Sequence, residues 1–295
     1  MADNVILIFI KILPTILCIA MQKLTILFFL ILLSGVAKSQ NIYTALHLNE
    51  EREYKSRKPK KIVETNIFFN SSGKQIDKNI KTLDDAGMLV TEERYDNNNS
   101  LTARLTYTND TINRIKLSRV FEGWTHLGYS KTTAFYHYDK NFFLIGVTDK
   151  NANGDVIQQT NLICNDNGHP IELSLYDGNG NSYGKETAKY LYDKNKAITS
   201  VVANDGRILS VNTMKINFTL ASKFPDENEI YNTNGDLINR TSRNLNGSET
   251  IFEEEYTYDN FGNCTEHKIF KVTVKKNGKR KRENDKIYKK EYLYQ

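Results

Sequence analysis

The chain has 295 residues, with 40 basic and 35 acidic side chains and a net charge of +5 at pH 7. That near-balance excludes a protein that is basic throughout and binds polyanions by charge alone. Three cysteines in a chain of this length exclude a disulfide scaffold.

Residues 1–39 read as a leader. A first apolar run, Val5 to Ala20, precedes a second segment, Met21 to Gln40, that has the parts of a secretory signal. Lys23 supplies the positive charge, Leu24 to Leu33 the apolar run, and Ala37-Lys38-Ser39 the small residues that a signal peptidase reads. Cleavage after Ser39 leaves Gln40 as the new N-terminus, and Met21 is the expected start of translation. The competing reading is a membrane anchor, because Val5 to Val36 is long enough to span a bilayer. Lys11, Pro14 and Lys23 interrupt that run. Cys18 follows Leu17, where a lipoprotein signal needs a small residue, so lipid modification is not expected.

Without residues 1–39, the chain keeps 37 basic and 34 acidic side chains, a net +3. Lys271 to Lys290 alone carries 10 basic residues against Glu283 and Asp285. The rest is therefore mildly acidic, and the charge is concentrated at one basic end. Cys164 and Cys264 remain, and an oxidising compartment permits a bridge between them. Two buried free thiols are the simpler expectation.

Residues 40–59 form a lead-in with a weak helical pattern at Ala45 to Ser56. From residue 60 the pattern changes. Turn signals recur at Ser72-Gly73, Ala86-Gly87, Asn97-Asn98-Asn99, Asn153-Gly154, Asn167-Gly168 and Gly178-Asn179-Gly180. They continue at Asp205-Gly206, Asn234-Gly235, Asn246-Gly247, Phe261-Gly262 and Asn277-Gly278, mostly 11 to 16 residues apart. Asn-Gly and Asp-Gly pairs suit tight hairpins in which both central residues take positive φ. Between the turns, residues alternate. Leu101, Ala103, Leu105 and Tyr107 share one face, as do Ile171, Leu173 and Leu175. Period two with β-branched and aromatic residues predicts half-buried strands. The turn Asn153-Gly154-Asp155-Val156-Ile157 returns as Asn234-Gly235-Asp236-Leu237-Ile238, a loose internal repeat. The expected fold over 60–295 is all-β: one antiparallel meander of stacked hairpins, each burying its apolar face on its neighbours.

Three stretches share a further grammar: Tyr136-His137-Tyr138-Asp139, Tyr190-Leu191-Tyr192-Asp193 and Tyr256-Thr257-Tyr258-Asp259. The third continues to Gly262-Asn263, giving Y-x-Y-D-x-x-G-N. This unit resembles the YD repeat of the RHS family, fully at Tyr256 to Asn263 and without the glycine at the other two places. Together with the basic strand pair and the final Glu291-Tyr292-Leu293-Tyr294, it resembles small exported YD-repeat proteins of Bacteroidetes-type bacteria. In those the residue after Gly-Asn is often aromatic; here it is Cys264. The resemblance implies a β-hairpin sheet that coils or stacks. It does not imply the shell that large RHS proteins build around a toxin, because the units here are too few to enclose one. Two tyrosines at i and i+2 point to one face, where their rings can stack on neighbouring strands. The Asp carboxylate can accept backbone N–H groups within the turn.

Reactive constellations are sparse. His47, His126, His137, His169 and His267 show no metal-binding spacing. Gly128-Tyr129-Ser130-Lys131-Thr132 lacks the closing glycine of a nucleophile elbow. Gly184-Lys185-Glu186 has Glu where a phosphate loop needs Ser or Thr. The stretch from Asp149, with Asn151, Asn153 and Asp155, matches the start of a calcium loop, but Thr160 stands where a bidentate Glu is needed. A hairpin turn rich in Asn and Gly, which this chain makes repeatedly, is the favoured reading of it. Lys279, Arg280, Lys281 and Arg282 form a basic segment that suits lipid or other phosphates, or a solvated hairpin. The 17 tyrosines suit packing within the sheet, or stacking on sugars. The functional expectation is a non-catalytic exported β-repeat protein: an interaction or structural module of the periplasm, outer surface or medium. Its partner would be an envelope component, a protein or a glycan. Nucleic acid and cofactor are not expected, and membrane contact would come only through an uncleaved leader or the basic patch. The alternatives are a carbohydrate-binding module and, less favoured, a hydrolase built from scattered carboxylates.

Overall fold

A computed structural model describes residues 41–49, 57–216, 222–243, 249–274 and 279–294. The leader, with its Ser39–Gln40 cleavage site, lies outside the described residues, as do the turns at Asn246-Gly247 and Asn277-Gly278. No helix among the described residues is long and apolar enough to cross a membrane.

The described chain is nearly all strand, as the alternation predicts. The strands are β1 (Lys61–Asn70), β2 (Gly73–Leu83), β3 (Leu89–Tyr95), β4 (Leu101–Asp110), β5 (Ile115–Thr125) and β6 (Gly128–Tyr138). They continue as β7 (Leu144–Asn151), β8 (Val156–Cys164), β9 (Pro170–Asp177), β10 (Ser182–Leu191), β11 (Lys196–Val202) and β12 (Ile208–Lys215). The last five are β13 (Glu229–Tyr231), β14 (Leu237–Arg243), β15 (Glu249–Tyr258), β16 (Cys264–Val274) and β17 (Arg280–Leu293). All belong to one 17-stranded sheet. Antiparallel ladders join sequence neighbours from β1 through β12. The same holds from β13 through β17. The first and last strands also pair, from Lys61↔Leu293 to Phe68↔Lys286. The first and last strands therefore meet in mid-sheet, and the open edges among the described residues are β12 and β13. No ladder register joins those two edges among the described residues. They touch through Lys215, which bonds Glu229 and lies 3.6 Å from Asp226 and 3.3 Å from the Tyr231 hydroxyl.

The hairpin turns differ from the expected two-residue type. In nine turns the N–H of residue i donates to the carbonyl of i+4, as from Asp139 to Phe143 (3.0 Å) and from Asn151 to Asp155 (2.9 Å). Only the fourth residue takes a positive φ: Gly154, Gly168 and Gly235 do so, whereas Asn153, Asn167 and Asn234 do not. This is a type I turn closed by a left-handed residue, and it leaves one extra residue on the outgoing strand. Ile171 is such an extra residue, since Cys164 pairs with Pro170 and Ile163 with Glu172. The bulge turns Ile171 outward while Leu173 stays buried, so these two do not share the face that strict alternation assigns them.

The lead-in supplies a short helix, α1 (Ile42–Leu46), which starts before the expected Ala45; residues 50–56 of the expected span lie outside the described residues. Five residues cannot hold a helix alone. Here Asn41 closes a capping box with Thr44, and Glu186 on β10 accepts the Ile42 N–H at 2.7 Å. Ile42 and Ala45 pack into the core with Ala134, Tyr136, Leu144, Val147, Leu162 and Leu173 from β6 to β9. Burying one such aliphatic side chain is worth about 1.5–3 kcal/mol. The next residues tie down the helix end: His47 sits 2.7 Å from the carbonyls of Tyr43 and Ile216, and Asn49 accepts the Lys116 N–H at 3.1 Å. Elsewhere buried carboxylates are compensated, Glu64 by Lys81 (2.7 Å) and Glu92 by Arg94 (2.7 Å).

Candidate functional site

The turns carry the site, and the tyrosine–aspartate units brace the turns. Each opening Asp or Asn folds its side chain back onto its own loop. The Asp139 carboxylate accepts from Asn141 and Phe143 N–H (2.8 and 2.9 Å), and that of Asp259 from Phe261 and Asn263 (2.9 and 2.8 Å). The tyrosine pair of a later strand then clasps an earlier turn. Tyr190, Tyr256 and Tyr292 donate to the carbonyls of Pro170, Leu237 and Cys264 at 2.7, 3.0 and 3.0 Å. Each acceptor lies two residues past the turn's left-handed glycine. The second tyrosines reach the turn itself: Tyr192 accepts from Asn165 (2.8 Å), Tyr258 bonds Asp236, and Tyr294 donates to Asp259 (2.6 Å). Within each pair the rings stack, at 5.6, 6.5 and 6.1 Å. Tyr292 and Tyr294 thus act as a further unit. In the first unit Tyr136 is buried in the core, and Tyr138 donates to the Lys116 carbonyl at 2.8 Å. In the second unit Tyr192–Lys194 form a 3-10 turn with Asp193 at its middle, not at its opening, and the turn ends on left-handed Asn195.

Three of these turns converge with α1 around a cavity of about 410 Å³. Phe142, Phe143 and Leu144 come from the Asp139 turn; Gly168, His169 and Pro170 from the next; Tyr192 and Asn195 from the 3-10 turn. Ala45, Leu46 and Asn49 form another wall, completed by Ile216 and Phe224. Phe142 occupies the slot that glycine fills in most sister turns, with φ +61°. An L-residue there costs about 1–2 kcal/mol. The strained turn leaves the Phe142 ring 48% exposed beside the cavity, and Tyr192 is 43% exposed. His169 Nδ1 lies 2.9 Å from the Tyr192 hydroxyl, with the two rings 5.5 Å apart. Burial, then the charge of His47, lowers the His169 pKa below the usual imidazole value, favouring the neutral ring. Among the described residues, none that lines the cavity is an Asp, Glu, Lys or Arg. Aromatic faces, a neutral imidazole and side-chain amides suit stacking on, and hydrogen bonding to, an uncharged ring.

The other sequence candidates are committed elsewhere. Asp149 sits on β7 facing Ala134 and Gln158 across the ladders, and burial raises its pKa. The Asn151 side-chain oxygen accepts the Asn153 and Asp155 N–H groups (2.9 and 3.0 Å), and its amide donates to the Asp155 carboxylate at 3.0 Å. The segment that resembles a calcium loop is therefore one of the sister turns. The basic segment is largely neutralised across β16. Arg280 meets Glu253 (2.6 Å), and Arg282 meets Glu253 and Glu255 (2.9 and 2.7 Å) while lying 3.5 Å over the Phe270 ring. Lys281 pairs with Glu283 at 2.8 Å, and Lys279 precedes β17 on the surface. Cys164 and Cys264 do not bridge to each other, and both are half-buried. Sequence reasoning missed Glu254, a buried carboxylate held by His267 (2.7 Å) and Tyr256 (3.0 Å), with the His267 ring stacked on Tyr256 at 4.3 Å. It also missed Phe142, whose only signal is an aromatic residue in a glycine position. Among the described residues, no group of three or more His, Cys, Asp or Glu is placed to hold a metal ion.

No family model and no curated protein matches the chain. Similar solved structures include a porin-like protein from Bacteroides uniformis, 13% identical, with a TM-score of 0.44 over 80% of this chain and 97% of that one. TcdB2-TccC3 without its hypervariable C-terminal region is 15% identical, with a TM-score of 0.27 over 71% of this chain and 15% of that one. A putative outer membrane lipoprotein-sorting protein domain from Vibrio parahaemolyticus is 9% identical, with a TM-score of 0.16 over 59% of this chain and 94% of that one.

Proposed function

We propose that the protein is a non-catalytic exported β-repeat module that binds a partner at the cell envelope through the aromatic cavity, and that its hairpins are diverged relatives of the RHS YD repeat. The observation that carries the reading is the lining of that cavity: exposed Phe142 and Tyr192, with no Asp, Glu, Lys or Arg among the described lining residues. The tyrosine hydroxyls and turn carboxylates support it, because they are spent on holding the turns. A signal-like leader supports export of the module. The exposed rings favour one specific version, a carbohydrate-binding module that stacks a neutral sugar on Tyr192 and Phe142.

The test is binding of neutral envelope oligosaccharides on a glycan array, followed by calorimetry, for the wild type and for Tyr192→Ala and Phe142→Ala. The expected result is a ligand recovered chemically intact and binding lost in both variants while the β-type circular dichroism is kept. Cleavage of the ligand would overturn the non-catalytic reading. A blank array would remove the sugar, and undiminished binding in both variants would remove the cavity.

A further inference from the structure

We propose that β12 is a docking edge for a second copy of this chain, which pairs with its own β12 antiparallel about a two-fold axis. The sheet has two edges, and they are built differently. β13 is three residues long, and its Glu229 is engaged by Lys215. Short, charged edges resist further pairing. β12 is eight residues long and ladders only with β11, from Lys196↔Lys215 to Val202↔Ile208. β13 reaches it only at the Lys215 end. Backbone groups of Ile208 to Met214 that face away from β11 therefore have no ladder partner among the described residues.

The exposed side chains match that gap. Ile208, Leu209 and Val211 are 65%, 60% and 57% exposed. Residues 208–214 (Ile-Leu-Ser-Val-Asn-Thr-Met) hold no charge and no proline, the two devices that usually protect an edge. Their neutrality selects the occupant. Like charges set opposite one another destabilise a strand pair, and two copies of this edge oppose none along its length. A two-fold axis at Ser210 lays Leu209 against Val211 twice and Ile208 against Asn212 twice. It also sets the Asp205–Arg207 ion pair of one copy beside the Lys215–Glu229 ion pair of the other, so these ends meet as neutralised pairs. Seven residues on each side make a small interface, at the low end of specific contacts (below about 1,200 Å²), so association is reversible and depends on concentration.

The test is sedimentation of the purified protein over a concentration series, with Val211→Lys on the edge and Ile163→Lys, another exposed aliphatic position, as control. The wild type and Ile163→Lys should pass from monomer to dimer. Val211→Lys should move that midpoint upward by about tenfold or more, as each new ammonium is set against Leu209 of the other copy and lies diagonally across the axis from its twin. Independently, Ser210→Cys should form an intermolecular 210–210 disulfide on mild oxidation, faster than Ser72→Cys in a remote turn. A strictly monomeric wild type, a dimer indifferent to Val211→Lys, or equal cross-linking of the two cysteine variants would each overturn the proposal.

Discussion

Gly168 offers the sharpest test of how the turns build the cavity. It takes φ +76°, and a Cβ added there would lie 2.5 Å from two atoms of the Phe143 ring. Gly154 occupies the same slot in the next turn upstream, at φ +90°, with nothing within 4 Å of an added Cβ. Gly154→Ala therefore isolates backbone strain, about 1–2 kcal/mol. Gly168→Ala adds overpacking against an aromatic ring, about 1–3 kcal/mol more. Urea denaturation should show a midpoint for Gly168→Ala well below that of Gly154→Ala at a common slope. In a double-mutant cycle, Phe143→Ala should bring the extra cost of Gly168→Ala close to that of Gly154→Ala. Equal losses in the two alanine variants, or an undiminished Gly168→Ala penalty without the Phe143 ring, would refute this packing of one turn on another.

Two further outcomes follow from the charged groups. Burial lowers the Lys116 pKa to about 8, whereas burial raises Tyr107, Tyr138 and Tyr258 to about 12. Between pH 8 and about 10.4 the unfolded chain holds the Lys116 proton that the folded chain has released, so stability rises with pH in that window. Above about 10 the sign reverses, because unfolded tyrosines ionise while the folded ones keep their protons, and stability falls. Urea midpoints from pH 7 to 11 should show this maximum, and Lys116→Met should abolish the rising limb; a rise that survives the substitution would contradict it. At the basic end, Arg282→Ala removes two ion pairs and the contact with Phe270 and should cost about 1 kcal/mol, while Lys281→Ala should stay within about 0.5 kcal/mol. Thermal melts of the two variants decide this, and equal effects would mean that the Arg282 network contributes nothing.

The local half of the structure was legible in the sequence. Period two from Leu101 to Tyr107 reports strand faces because the pleat enforces that period, and Gly154 and Gly235 report turns because few other residues take positive φ cheaply. The tyrosine pairs announced a repeated stacking device. The rest depends on contacts between distant segments. Pairing of Lys61 with Leu293 leaves no local trace. The bulge that turns Ile171 outward arises from turn geometry and breaks strict alternation. The helix is placed by Glu186 and the core of β6 to β9, so the weak periodicity at Ala45 to Ser56 pointed to the right region and the wrong start. The basic run Lys279 to Arg282 looked free because Glu253 and Glu255 approach it from a strand two places away in the sheet.

The cavity and the clasps are one construction. Phe142 can hold its strained turn only if the surroundings over-determine it, and they do. Its loop is closed by the Asp139 carboxylate, and its neighbour Phe143 lies against Gly168. The loop of Gly168 is in turn held by Tyr190 and Tyr192. The repeat's tyrosines therefore do their work one turn away from where they appear in the chain. A unit without a reactive side chain fixes the rim of a cavity whose lining residues Phe142 and His169 belong to no motif.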